Sequence, residues 1–134
     1  LAITQALVGY THAISHNLGA RYGVAHGLGN AAALPHVLEL LKDEAQDKMA
    51  ELAVHCELGT ADQGSAALAQ KLVDRVRELN RTIGIPEKID SIKHEDFDDL
   101  VNLALAEGSS YPTPRFFEPD ECRGILQRMS VSPA

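Results

Sequence analysis

The stretch THAISHNLGARYGVAHGLGN, from Thr11 to Asn30, predicts two helices joined by a loop and carries three of the chain's six histidines. His12 and His16 are four residues apart, so on a helix both side chains lie on one face with Cβ atoms about 5–6 Å apart. Two glycines in the intervening loop let the chain reverse, which can bring His26 beside that face. The three histidines are therefore candidates for a single site.

Imidazole is a good ligand for Zn, Fe, Cu or Ni, and catalytic metal sites typically use three protein ligands and keep one position open. A pair of histidines four residues apart is a weak signal by itself, because such pairs also occur as satisfied polar groups in a core. The spacing leaves both interpretations open. The other histidines, His36, His55 and His94, are interpreted as surface or core polar residues.

The spacing of apolar residues is helical along the whole chain, which predicts an all-α fold. The predicted helices run from the start to about Leu18, from His26 to about Leu41, and over about 44–58, 68–83, 94–106 and 118–128. Gly19 is expected to end the first helix, and Pro35 lies inside the second as a predicted kink. The segment GSSYPTPRFF, residues 108–117, is expected to be extended, and residues 130–134 to form a frayed tail.

Composition limits the classes of function. A chain of 134 residues, 45% of them hydrophobic, suits one domain with a core. The net charge of −7 argues against a nucleic-acid partner, which requires clustered Lys and Arg. Cys56 and Cys122 are too few for a disulfide framework and favour a cytoplasmic setting. No apolar run of about 18 residues or signal segment is present, which argues against a membrane partner.

The chain opens LAITQALVGY, with neither an initiator Met nor a helix-capping residue. We therefore expect a fragment that begins inside a helix.

Two other motifs in the sequence are discounted. GLGNAA, residues 27–32, has the letters of a dinucleotide fingerprint but no preceding strand. Ser15 or Ser110 beside His16 could suggest a hydrolase, but no G-x-S-x-G turn is present.

The segment GYTHAISHNLGARYGVAHGLGNAAALPHVLEL, residues 9–40, resembles the histidine-rich signature of the iron-containing (group III) alcohol dehydrogenases. That family shares its architecture with dehydroquinate synthase and glycerol dehydrogenase. The likeness includes H-A-x-x-H-x-L-G, the ten-residue step to H-G, and N-A-x-x-L-P-H-V. LNRTIGIP at 79–86 and YPTPRFFEPDEC at 111–122 are similar to later segments of the family.

The resemblance implies that residues 1–134 are the family's C-terminal, helical, metal-binding domain, without its α/β nucleotide-binding domain. It implies that His12 and His26 bind the catalytic metal, while two further ligands, an Asp and a His, lie on an earlier helix outside this chain. His16 matches a residue beside the nicotinamide and substrate, as a catalytic proton-relay or cofactor-binding group. Ser109, Ser110 and Tyr111 match a segment near the substrate pocket.

The implied function is that of a metal-dependent, NAD(P)-linked alcohol dehydrogenase, with Fe²⁺ or Zn²⁺ as the metal. This chain would supply half of the metal site and would be inactive alone, because NAD(P) is held by the missing domain. The implied partners are a small alcohol or aldehyde and that N-terminal domain. Three alternatives remain. The substrate could be a polyol or a keto acid, the protein could form a homo-oligomer, and the chain could instead be a helical interaction domain or a non-catalytic relative.

Overall fold

A computed structural model describes residues 9–131, and in this range the chain forms α-helices and short 3₁₀ turns without a β-strand. The all-α prediction is confirmed for this range. The helices are α1 (Tyr10–Tyr22), α2 (His26–Leu41), α3 (Gln46–His55), α4 (Ser65–Thr82), α5 (Phe97–Gly108) and α6 (Pro119–Met129). The 3₁₀ turns are Ala61–Gln63, before α4, and His94–Asp96, before α5. None of the described helices is long and apolar enough to cross a membrane.

The end of α1 differs from the prediction. Gly19 is helical, and the helix continues to Tyr22 and ends at Gly23, which has a left-handed φ of 67°. The N–H of Gly23 donates to the Gly19 carbonyl and closes the helix. The extra turn lets the Tyr22 hydroxyl donate to Asp96 at 2.6 Å, so a tertiary contact helps to decide which glycine ends the helix. The predicted start of this helix, in residues 1–8, lies outside the described residues.

Helix α2 begins at His26 and includes Pro35, as predicted. It approaches α1 closely where Gly29 faces Ser15, because a Cβ at Gly29 would lie 2.6 Å from the Ser15 Oγ. The Ser15 hydroxyl also donates to the His26 carbonyl at 3.1 Å. This small-residue contact places the first turn of α2 against the middle of α1.

The apolar stripe predicted from Leu68 to Ile83 correctly predicts α4, but only its first half enters the core. Leu68 and Leu72 are buried, whereas Leu79 and Ile83 are 43% and 68% exposed. A helical period identifies one face of a helix, but it does not say how far along that face a neighbour extends.

The core consists of two apolar clusters. The larger joins α1, α2, α5 and α6 around Ile14, Leu18, Phe97 and Ile125. The smaller joins α3 to the first half of α4 through Met49, Ala53, Leu68 and Val73. The histidine-bearing parts of α1 and α2 therefore rest on the larger cluster.

The two irregular segments were predicted less well. In the segment 108–117, expected to be extended, Gly108 is the last residue of α5, and the remaining residues form turns, bends and irregular backbone. In the expected tail, Ser130 is 1% exposed and pairs with Ile89 through an isolated β-bridge, so the ordered chain extends past α6. Residues 132–134 lie outside the described residues.

Candidate metal centre

The rings of His12, His16 and His26 lie together where the middle of α1 meets the first turn of α2. Their centroids are 5.6 Å apart for His12 and His16, 5.2 Å for His12 and His26, and 5.4 Å for His16 and His26. The helical spacing brings the first two together, and the reversal of the chain after Gly23 adds the third.

The cluster is open on one side. His16 and His26 are exposed, while His12 is half-buried between them. Partial burial lowers the pKa of His12 below its ordinary value, and the positive charges that His26 and His16 can carry lower it further. A neutral His12 imidazole keeps a nitrogen lone pair available to a ligand.

Glu107, in the last turn of α5, is a member of this site that the sequence analysis missed. Its Oε1 lies 2.6 Å from the Nδ1 of His16, and its Oε2 accepts from the Asn17 amide at 3.4 Å. A carboxylate can only accept, so this contact favours a proton on Nδ1 of His16 and leaves Nε2 as the free ring atom. The sequence marked Glu107 only by its position, just after the predicted helix 94–106 and two residues before Ser109.

The predicted pocket residues divide into two kinds. The Tyr111 hydroxyl donates to Glu107 Oε1 at 2.8 Å, so Glu107 links Tyr111 to His16. This hydrogen bond to a carboxylate raises the pKa of Tyr111. Ser109 and Ser110 are exposed, and their hydroxyls donate back to the carbonyls of Ala106 and Glu107 at the end of α5.

Asn30 completes the polar surroundings of His26. Its Nδ2 lies 3.0 Å from His26 Nε2, while its Oδ1 is buried and has no hydrogen-bond partner among the described residues.

The donor set fits a partial site for a divalent cation. Two imidazoles that bind one ion through nitrogens at about 2.0–2.1 Å, with tetrahedral geometry, have ring centres roughly 5 Å apart. All three pairs of rings are near this separation, and His12 and His26, at 5.2 Å, are nearest to it. Within residues 9–131, no group of three or more His, Cys, Asp and Glu side chains is arranged to hold a metal ion by itself. The described residues thus include imidazoles at a suitable separation but not a complete donor set.

Residues 1–130 match the family model described as the Fe-containing alcohol dehydrogenase family, C-terminal. The chain is 29% identical to 1,3-propanediol dehydrogenase from Klebsiella pneumoniae, over 96% of this chain and 34% of that protein. It is 34% identical to alcohol dehydrogenase 4 from Schizosaccharomyces pombe, over 95% of this chain and 30% of that protein. It therefore spans about a third of the length of these relatives.

Solved structures agree with the sequence comparison. An alcohol dehydrogenase from Oenococcus oeni superposes with a TM-score of 0.84 at 30% identity, covering 94% of this chain and 33% of that one. A 1,3-propanediol oxidoreductase superposes with a TM-score of 0.83 at 30% identity, covering 90% of this chain and 32% of that one. The helical arrangement of this chain is thus similar to about a third of each of these longer proteins.

Proposed function

Because the chain belongs to the Fe-containing alcohol dehydrogenase family, as its C-terminal domain, we propose that it is the metal-binding part of an NAD(P)-linked alcohol dehydrogenase. The reaction would transfer a hydride between an alcohol or aldehyde and the nicotinamide. The observation that carries this proposal is the 5.2 Å separation of the His12 and His26 rings, with His16 beside them.

In this proposal His12 and His26 hold Fe²⁺ or Zn²⁺, and an Asp and a His from outside this chain complete the donor set. When bound, the cation supplies Lewis acidity that polarises an alcohol oxygen. The neutral state favoured for His12 supports the ligand role, because a protonated imidazole cannot bind a metal.

His16 has a different role in the proposal. With its Nδ1 proton donated to Glu107, its Nε2 can accept the proton that leaves the alcohol, or contact the nicotinamide. The Glu107 carboxylate holds the ring in this tautomer and stabilises the positive charge that the ring gains. Tyr111, held by the same carboxylate, would form one wall of the substrate pocket, with Ser109 and Ser110 at its edge.

The nucleotide would be bound by a part of the protein outside this chain. The relatives are about three times as long as the matched segment, which supports a further domain for NAD(P). We therefore expect the isolated chain to be inactive.

Metal content and turnover of full-length variants test the assignments together. We expect His12→Ala and His26→Ala to lose metal and activity in parallel, because each removes a ligand. His16→Gln should keep its metal but lose turnover by about 100-fold or more, the range typical of general acid–base catalysis. His55→Ala, which changes an exposed histidine on α3, is the matched control and should retain both.

Metal content would be measured by mass spectrometry and turnover with a short primary alcohol. Full metal occupancy in His12→Ala or His26→Ala would contradict the ligand assignment. Unchanged turnover in His16→Gln would contradict its role in proton transfer or cofactor contact.

A further inference from the structure

A cavity of about 280 Å³, lined in part by cationic side chains, lies between α2, α4, the loop after α4 and α6. Four cationic side chains line it, from Arg77, Arg81, Lys88 and Arg128, together with one carboxylate, Glu87. The chain has 12 Lys and Arg in total and a net charge of −7. A third of all its Lys and Arg residues therefore line one cavity of an acidic protein.

Three of the four cations are held by neighbours. Arg77 donates to Glu39 at 3.0 Å, and Arg81 donates to Glu87 at 3.2 Å. The Lys88 ammonium group donates to the Ser130 carbonyl at 2.9 Å, and a carbonyl does not neutralise its charge.

Arg128 differs from the other two arginines. Its guanidinium has no Asp or Glu oxygen within 4.0 Å in the part of the chain that the structure describes. Arginine presents a planar fork of N–H donors that matches carboxylate and phosphate oxygens. Lys88 likewise has no Asp or Glu partner within residues 9–131, so two cations that these residues leave unneutralised line the same cavity and suit an external anion.

The rest of the lining is less polar. Ala32, Pro35, Ile85 and Pro86 contribute apolar surface, and His36 also lines the cavity. Burial, and then the positive charges of Arg128 and Arg77, lower the pKa of His36 to about 4. At neutral pH the imidazole is therefore uncharged and can donate to an oxygen atom of a ligand.

The cavity is separate from the histidine cluster. His36 follows His26 by ten residues on α2, which is about 15 Å along a helix axis at about 1.5 Å per residue. None of the three clustered histidines lines the cavity.

We propose that this cavity binds a small organic anion, whose phosphate or carboxylate group pairs with Arg128 and the adjacent cations. A short carbon chain on the ligand would lie against Pro35 and Ile85. This site goes beyond the proposed dehydrogenase function and does not depend on the metal.

Isothermal titration calorimetry of the purified full-length protein tests the site with inorganic phosphate, propyl phosphate and malonate, at constant ionic strength in chloride. We expect saturable binding of at least one probe. Arg128→Gln should weaken it by at least about tenfold, because it removes a charge-assisted pair, and Arg128→Lys should weaken it less. Arg123→Gln is the matched control, since Arg123 lies on the same helix but pairs with Asp98 outside the cavity.

The probes distinguish the two ligand chemistries. If the phosphates bind and malonate does not, the site recognises a phosphate group. If malonate binds and the phosphates do not, the site recognises a carboxylate. No saturable binding of any probe at millimolar concentration would overturn the proposal. An equal loss of affinity in Arg123→Gln and Arg128→Gln would overturn it too. Metal content, measured on the same samples, separates failure of this site from failure of the metal site.

Discussion

At the scale of single residues, Gly108 allows the helix that carries Glu107 to pack closely against the buried ring of Tyr10. It ends α5, directly after Glu107, and a Cβ there would overlap the ring of Tyr10. That ring cannot move aside easily, because it is buried, stacks on Phe117 at 4.2 Å, and its hydroxyl accepts the Phe117 N–H at 3.1 Å. The absent side chain therefore lets α5 approach α1 closely enough for Glu107 to reach His16.

Replacement of this glycine tests the close approach. We expect Gly108→Ala to lower the free energy of unfolding by about 1–3 kcal/mol, the usual range for overpacking a core. Gly124→Ala is the matched control, because Gly124 lies inside α6 and its nearest neighbour, Arg128 Nη1, is 3.6 Å from the added Cβ. It should raise stability by about 0.5–1 kcal/mol through helix propensity.

Urea denaturation of both variants measures the two changes. Equal effects of the two substitutions would show that the Tyr10 contact does not constrain Gly108.

At the scale of elements, the helices are held to different degrees. Helix α1 is buried against both α2 and α5 through the larger cluster, with Ile14 and Leu18 almost fully enclosed. Helix α3 packs mainly against α4, and its buried residues there are Met49 and two alanines, Ala50 and Ala53. Small side chains bury little apolar area, so the contact stabilises α3 less than the larger cluster stabilises α1.

We therefore expect α3 to open before the rest of the molecule. Its backbone amides should exchange with deuterium faster than those of α1 and α5, because local opening of α3 exposes only the smaller of the two apolar clusters. Hydrogen exchange followed by mass spectrometry measures this, with α5 as the internal reference of similar length. Equal protection of α3 and α5 would mean that the two clusters unfold as one unit.

The elements also differ in how well the sequence predicts them. Helix α6 matches its predicted range of 118–128 to within one residue, because its start carries local signals. Pro119 occupies the first turn, and Glu118 and Glu121 form a capping box. Helix α3 was predicted over 44–58 but spans Gln46–His55. Its N-cap makes no side-chain hydrogen bond, so no local contact marks where it begins.

At the scale of the whole molecule, acid should destabilise the fold through His36. Its pKa is lowered to about 4 in the folded protein, from an ordinary value of 6.5. Between these values the unfolded chain binds more protons than the folded chain, so stability is lost as the pH falls from about 6.5 to about 4. The loss should be on the order of 1 kcal/mol per pH unit.

Urea denaturation across this range, in buffers free of phosphate and carboxylates, measures the slope for the wild type and for His36→Gln. The variant should lose the part of this difference that His36 contributes, while His12, whose pKa is also lowered, keeps a dependence of the same sign. Glu39 and Glu121 have pKa values held below 4.5 by Lys42 and Arg115 respectively, so their effects belong to more acidic solutions. An unchanged slope in the variant would contradict the assignment to His36.

The sequence by itself determined the helical class, the family and the two helices that carry His12, His16 and His26. These features are local, because the period of 3.6 residues, capping residues and motif spacing act within one segment. Only the tertiary structure decided that Gly23 ends α1, that Glu107 joins His16 to Tyr111, and that Arg128 meets Arg77, Arg81 and Lys88. Such contacts join segments far apart in the chain, as the 91 residues between His16 and Glu107 illustrate. They depend on how all the helices pack together, which no single segment encodes.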